Sequence, residues 1–77
     1  MIFEKLQKML AEQFLVDEDS ITMDTAFVDD LNADSLDLVE LSMAVEEEFG
    51  LPEIEEEEIA NLVTVGDVVR YISSIIE

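Results

Sequence analysis

The segment from Ser35 to Phe49 constrains the fold of this chain more than any other. It holds no glycine or proline, and its apolar residues recur at three- and four-residue intervals, the period of a helix. Gly50 and then Pro52 stop it, because glycine readily takes the left-handed turn that ends a helix and proline cannot continue one. Asp34 or Ser35 supplies a side-chain oxygen to cap its start. At about 100° per residue, Leu38, Leu41, Val45 and Phe49 share one side. Leu36, Val39 and Met43 share nearly the opposite side. Glu40 and Glu47 flank this second stripe, Glu46 lies near its other edge and Asp37 lies farther round. A helix that is apolar on two faces is buried on both or leaves one open. Either a neighbouring element covers Leu36, Val39 and Met43, or they form a ridge ringed by carboxylates on which a basic partner docks.

The remaining chain reads as partners for this helix. Residues 2–15 place Phe3, Leu6, Leu10 and Phe14 on one helical stripe, opposite Glu4, Gln7, Lys8 and Glu12. Residues 16–34 keep no period and are rich in turn and cap formers: Asp17, Asp19, Ser20, Thr22, Asp24 and Thr25. A loop this long needs anchors, and Ile21, Phe27, Val28 and Leu31 serve, with a short helical turn over residues 27–31. Asn32 suits a left-handed turn. A short third element spans residues 53–61, where four glutamates between Ile54 and Ile59 leave only a narrow edge to bury. The last helix starts at Thr64, an N-cap, with Asp67 in the first turn, where the helix dipole favours an anion. Val65, Val68, Val69, Ile72 and Ile76 form its core stripe. The expected fold is all-α: a small antiparallel-type four-helix bundle with three main helices, one short helix and a long first loop, one domain over residues 1–77.

Charge narrows the functions such a bundle can perform. Lys and Arg number 3 against 21 Asp and Glu, for a net charge of -18, and no cation occurs between Lys8 and Arg70. Nucleic acid and anionic membrane both need cationic contacts, so neither is an expected partner. Basic protein surfaces are. A hydrophobic content of 49% argues against disorder. The chain has no cysteine and no histidine, which removes thiolate metal sites, disulfides and the commonest general base. No apolar run is long enough for a membrane span, and residues 1–5 do not read as a signal peptide. The expectation is a cytoplasmic monomer.

Ser35 stands at the N-terminal end of the ridge. Position and physics leave two readings open: an ordinary serine cap, or a hydroxyl placed to carry a phosphodiester where helix amides and the dipole favour one.

The stretch Asp30-Leu31-Asn32-Ala33-Asp34-Ser35-Leu36-Asp37-Leu38-Val39-Glu40-Leu41 resembles the prosthetic-group site of bacterial-type acyl carrier proteins. Met43-Ala44-Val45-Glu46-Glu47-Glu48-Phe49-Gly50 and Thr64-Val65-Gly66-Asp67 extend the resemblance, which runs over essentially the whole chain. It implies that a phosphopantetheinyl transferase moves 4'-phosphopantetheine from coenzyme A onto Ser35, and that the arm's thiol carries growing acyl chains as thioesters between fatty acid synthesis enzymes. It implies that the bundle interior shelters the acyl chain and that the protein itself catalyses nothing. By matching position, Asp34, Leu36, Asp37, Val39, Glu40, Met43, Glu46 and Glu47 meet partner enzymes with basic docking patches.

Three features depart from the family pattern. Asn32 stands where glycine is usual. Phe14-Leu15 replaces Leu-Gly, which allows the first helix to run on. Proline comes early in Leu51-Pro52-Glu53-Ile54-Glu55, which carries one extra residue.

Other functions fit less well. A carrier for polyketide, aminoacyl or other specialised chains stays within the class, although the glycine-rich approach usual in peptidyl carriers is absent. Asp30-x-Asn32-x-Asp34 imitates the start of an EF-hand, but Ser35 and Leu41 occupy the positions that need Gly and a bidentate Glu; the Asp17-x-Asp19 start fails likewise at Thr22 and Val28. Weak divalent binding is expected instead, with magnesium or calcium raising the melting temperature beyond the effect of matched monovalent salt. An enzyme lacks its base and nucleophile pair.

Overall fold

The computed structural model describes residues 2–76. Five α-helices follow in order: α1 (Ile2–Phe14), α2 (Phe27–Leu31), α3 (Ser35–Phe49), α4 (Glu56–Ala60) and α5 (Val65–Ile76). The long helices α1, α3 and α5 are the three expected from periodicity; α2 is the short turn inside the first loop, and α4 is the acidic third element. A one-turn 3-10 helix, Glu18–Ser20, also lies in the loop and has no counterpart in the sequence reading. No strand occurs among the described residues, only a single antiparallel bridge between Ala26 and Thr64.

The core forms where the three apolar stripes meet. Leu6 and Leu10 of α1, Leu41 and Val45 of α3, and Val65, Val68 and Ile72 of α5 are buried together with Ile21, Phe27, Ala33, Leu51 and Ile54. Each fully buried large side chain contributes about 1.5–3 kcal/mol. Leu38, Phe49, Phe3, Phe14 and Val69 complete their stripes as half-buried residues around this centre. Two expected core members lie elsewhere. Val28 is exposed, because α2 turns only its Phe27 and Leu31 edge inward. Ile76 is 47% exposed, because the last turn of α5 extends past the packed layer.

Helix boundaries follow from local chemistry. Leu15 adopts φ 56°, and the Val16 amide donates to the Ala11 carbonyl at 3.1 Å. This bond closes a Schellman-type turn, so α1 ends at Phe14 and does not run on, although leucine replaces the glycine suited to the turn. Gly50 ends α3 in the same way at φ 64°, with the Leu51 amide donating to the Glu46 carbonyl at 2.9 Å. Helix α4 is shorter than the expected 53–61. The Ile54 amide is taken by the Glu46 carboxylate at 2.8 Å, and the N-cap Glu55 makes no side-chain capping bond. Residues 51–55 therefore stay outside the helix.

The first loop is held at both ends. The Gln7 side-chain amide donates to the carbonyls of Glu18 and Ile21 at 2.7 and 2.9 Å. Farther along, the loop pairs with the entry to α5: Phe27 to Val63 (3.0 Å), Val65 to Thr25 (2.9 Å) and Gly66 to Met23 (2.8 Å), each from amide to carbonyl. Thr64 and Asp67 cap α5 reciprocally: Thr64 Oγ1 accepts from the Asp67 amide at 3.2 Å, and Asp67 Oδ2 accepts from the Thr64 amide at 3.0 Å.

Candidate functional site

The approach to α3 fixes where Ser35 stands. Asn32 takes the left-handed conformation, φ 55°, that ends α2, a geometry asparagine tolerates better than most residues. Ala33 then inserts into the core, its amide bound to the Phe27 carbonyl at 2.9 Å. Asp34 is the N-cap. Its Oδ1 accepts the Asp37 amide at 2.9 Å, and Asp37 Oδ2 accepts the Asp34 amide at 3.1 Å. This reciprocal box does the capping that the sequence alone assigns to Asp34 or Ser35. Ser35 is thereby the first residue of α3, exposed, and its hydroxyl makes no hydrogen bond to a described residue. The Gln13 side chain, donating to the Asp37 carbonyl at 3.1 Å, ties this corner to α1.

The second apolar stripe is open. Leu36 is 65% exposed, Val39 43% and Met43 59%, so no neighbouring element covers the ridge. Glu40 and Glu47 are exposed beside it. Asp37 and Glu46 differ from them: Asp37 is committed to the cap, and Glu46, half-buried, holds the Ile54 amide. Two of the three cations are engaged with acids other than those around Ser35, Lys5 with Glu48 (3.9 Å) and Arg70 with Asp67 (2.7 Å). Arg70 and the Val63 and Thr64 amides lower the pKa of Asp67, the Thr64 amide most.

Behind the ridge an apolar seam separates the inner face of α3 from the α4–α5 side. Leu38, Leu41 and Val45 line one wall; Ile54, Ile59, Leu62 and Tyr71 line the other. Its free volume is about 10 Å³, room for about one water. An acyl chain fits only if the walls part. Tyr71 ties α5 to α4: its hydroxyl donates to Glu58 Oε2 at 2.5 Å, and this bond, with desolvation and the nearby carboxylates, pushes its pKa up to about 12. The sequence reading missed both the Tyr71–Glu58 and Glu46–Ile54 ties, since partners 13 and 8 residues apart leave no local signal.

The site therefore offers an exposed hydroxyl, an open apolar ridge, and a closed apolar interior. The family model for the phosphopantetheine attachment site matches residues 4–72. The acyl carrier protein of Clostridium perfringens strain 13 is 53% identical over 72 residues, spanning 94% of this chain and 93% of that one. The chain belongs to the acyl carrier proteins. The acyl carrier protein of Clostridium acetobutylicum is 50% identical over 74 residues, spanning 96% and 95% of the two chains. The solved acyl carrier protein of Enterococcus faecalis superposes with a TM-score of 0.81 at 36% identity, over 95% of this chain and 91% of that one. Like the family, this acyl carrier protein is a non-catalytic carrier with a phosphopantetheine attachment domain. It works with a transferase and with synthesis enzymes, and none of its described helices is long and apolar enough to cross a membrane.

The unpaired amides of the first turn of α3 favour an anion beside Ser35, while the Asp34 and Asp37 carboxylates repel one toward solvent. The chain has no cysteine and so no thiol of its own.

Proposed function

We propose that this chain carries growing acyl groups in fatty acid synthesis, as thioesters on a 4'-phosphopantetheine arm joined to Ser35 through a phosphodiester. The observation that carries the assignment to Ser35 is its exposed hydroxyl, released from capping by the Asp34–Asp37 box. The chain holds no histidine to activate it, so Ser35 is a passive acceptor and the transferase must supply the base. The protein works as a monomer in the cytoplasm, which holds the coenzyme A that donates the arm, and one domain spans residues 1–77. Partner enzymes with basic patches dock on Leu36, Val39 and Met43, steered by Asp34, Asp37, Glu40, Glu46 and Glu47. Apolar burial supplies affinity and the carboxylates supply encounter rate.

Mass spectrometry tests the attachment. With coenzyme A and a broad-specificity phosphopantetheinyl transferase, the wild type gains the mass of one phosphopantetheine and Ser35→Ala gains none. No gain on the wild type, with a control carrier modified under the same conditions, rejects the assignment. The pathway is tested by offering the loaded chain to purified bacterial malonyl transferase and ketoacyl synthase. Fatty acid synthesis requires malonyl loading and condensation on this chain; failure of both on a fully loaded protein points to a specialised carrier.

A further inference from the structure

Met43 is the one ridge residue that carries sulfur. The chain has no cysteine, so its thioethers are the soft groups that an oxidant meets first. The methionines among the described residues differ in access. Met9 is half-buried against the core, and Met23 is 39% exposed with its Cε over Gly66. Met43 is 59% exposed on the open face of α3. Its helix neighbours select the oxidant. Glu40 and Glu47 stand three residues before it and four after, the spacing at which side chains meet on a helix surface, and both are exposed. Carboxylates at that range favour the positive charge that builds on sulfur as it attacks an oxidant. They also repel anionic oxidants, so a neutral hydroperoxide is the class that reaches it.

We propose that Met43 is an oxidation site that switches docking at the ridge: a hydroperoxide converts its thioether to the sulfoxide, and the sulfoxide weakens partner binding. In the step a sulfur lone pair attacks one peroxide oxygen. The S–O bond forms, and the O–O bond breaks with its electron pair on the departing oxygen. That oxygen takes up the proton of the attacked one and leaves as water. Sulfur loses two electrons and the peroxide gains them. The product puts a polar S–O group beside Leu36 and Val39. A partner that closes over the ridge must strip water from the sulfoxide oxygen, and neither of those side chains has a donor to replace it. Sulfoxide reductases return the thioether, so the change is reversible. The inference rests on the docking ridge proposed above.

Hydrogen peroxide on the full chain without its arm tests this, and Ser35 plays no part in the result. Peptide mapping by mass spectrometry should show Met43 gaining its oxygen ahead of Met23 and Met9. The docking probe is a synthetic amphipathic helical peptide with lysines flanking a leucine face, its binding read from the methyl shifts of Leu36 and Val39. Once Met43 is oxidised, the affinity should fall about tenfold, the scale of losing much of one buried methionine. Reductases for both sulfoxide epimers should restore it. Met43→Leu keeps the apolar volume and lacks the sulfur, so the same peroxide treatment should leave its affinity unchanged. Met23→Leu should respond as the wild type does. Circular dichroism should stay constant throughout, because Met43 lies outside the core. Equal binding of the peptide before and after oxidation of Met43 overturns the switch. So does a matching loss of affinity in oxidised Met43→Leu, or oxidation of Met23 or Met9 ahead of Met43. A peptide that never binds the unoxidised chain removes the ridge itself, and the switch with it, a result distinct from the other three.

Discussion

Leu15 is the residue whose conformation and identity disagree most. It is 89% exposed and sits at φ 56°, where an L side chain is strained and the side chain packs on nothing to compensate. The left-handed region costs a non-glycine residue roughly 1–2 kcal/mol, whereas glycine loses about 0.5–1 kcal/mol through the extra freedom of its unfolded state. The first cost exceeds the second, so Leu15→Gly should stabilise by about 0.5–1 kcal/mol, read as a higher urea midpoint at unchanged slope. A midpoint at or below the wild type refutes the strain. Tyr71 gives the second prediction at this scale. Its pKa is 10.0 when free and about 12 in the fold. Below pH 10 the phenol is protonated in both states; between pH 10 and about 12 the unfolded chain loses the proton first, so stability falls as pH rises through that window. Urea midpoints should decline across it in the wild type, and Tyr71→Phe should flatten the decline while lowering stability at neutral pH. Equal slopes in both proteins would show that the Glu58 bond is absent in solution.

At the scale of elements, the contact between the first loop and α5 depends on one missing side chain. A Cβ on Gly66 would lie 3.0 Å from the Met23 carbonyl oxygen and 3.2 Å from the Arg70 guanidinium. That same carbonyl accepts the Gly66 amide at 2.8 Å, so it cannot retreat without losing its bond. Gly66→Ala should therefore destabilise by about 1–3 kcal/mol, the usual range for overpacking, and raise hydrogen exchange at Phe27 and Val65, whose amides fasten the same seam of loop and helix. By contrast Gly50 faces open space, so Gly50→Ala should cost only its left-handed backbone, about 1 kcal/mol. Urea denaturation ranks the two; a Gly66→Ala cost equal to that of Gly50→Ala removes the argument. The elements themselves were largely readable in advance because helix starts and stops are written locally: Asp34, Thr64 with Asp67, Gly50 and the period of α3 act within a few residues. The exposed ridge was readable as a pattern, but whether anything covered it depended on how the helices packed. The 3-10 turn, the shortened α4 and the two ties across the seam were not readable, because they depend on which distant groups packing brings together. Leu15 misled for the opposite reason: packing imposes a turn there that its side chain disfavours.

The whole molecule confines a charge of -18 to a body of 28 × 26 × 19 Å. The screening length is about 8 Å at physiological salt and about 30 Å at 0.01 M, so in dilute buffer almost every carboxylate acts on every other. Only two ion pairs occur among the described residues, both between exposed or partly exposed groups worth at most about 1 kcal/mol each, too little to offset repulsion summed over 21 acids. Repulsion of this kind destabilises the compact state more than the expanded one. The melting temperature should therefore rise steadily with sodium chloride, and the rise should be steepest from low salt, where the screening length shrinks through the dimensions of the body. Divalent ions should do more at equal ionic strength. A doubly charged ion concentrates more strongly near dense carboxylates, as along Glu55 to Glu58 and around Glu46, Glu47 and Glu48, although no cluster of three ligating side chains is formed among the described residues. Without such a cluster, the magnesium effect should grow gradually over a broad concentration range and be nearly matched by calcium. Thermal melts in sodium, magnesium and calcium chloride at matched ionic strength decide it. Coincident curves for all three would reduce the effect to plain screening, and a sharp calcium-only transition would instead reveal a defined site.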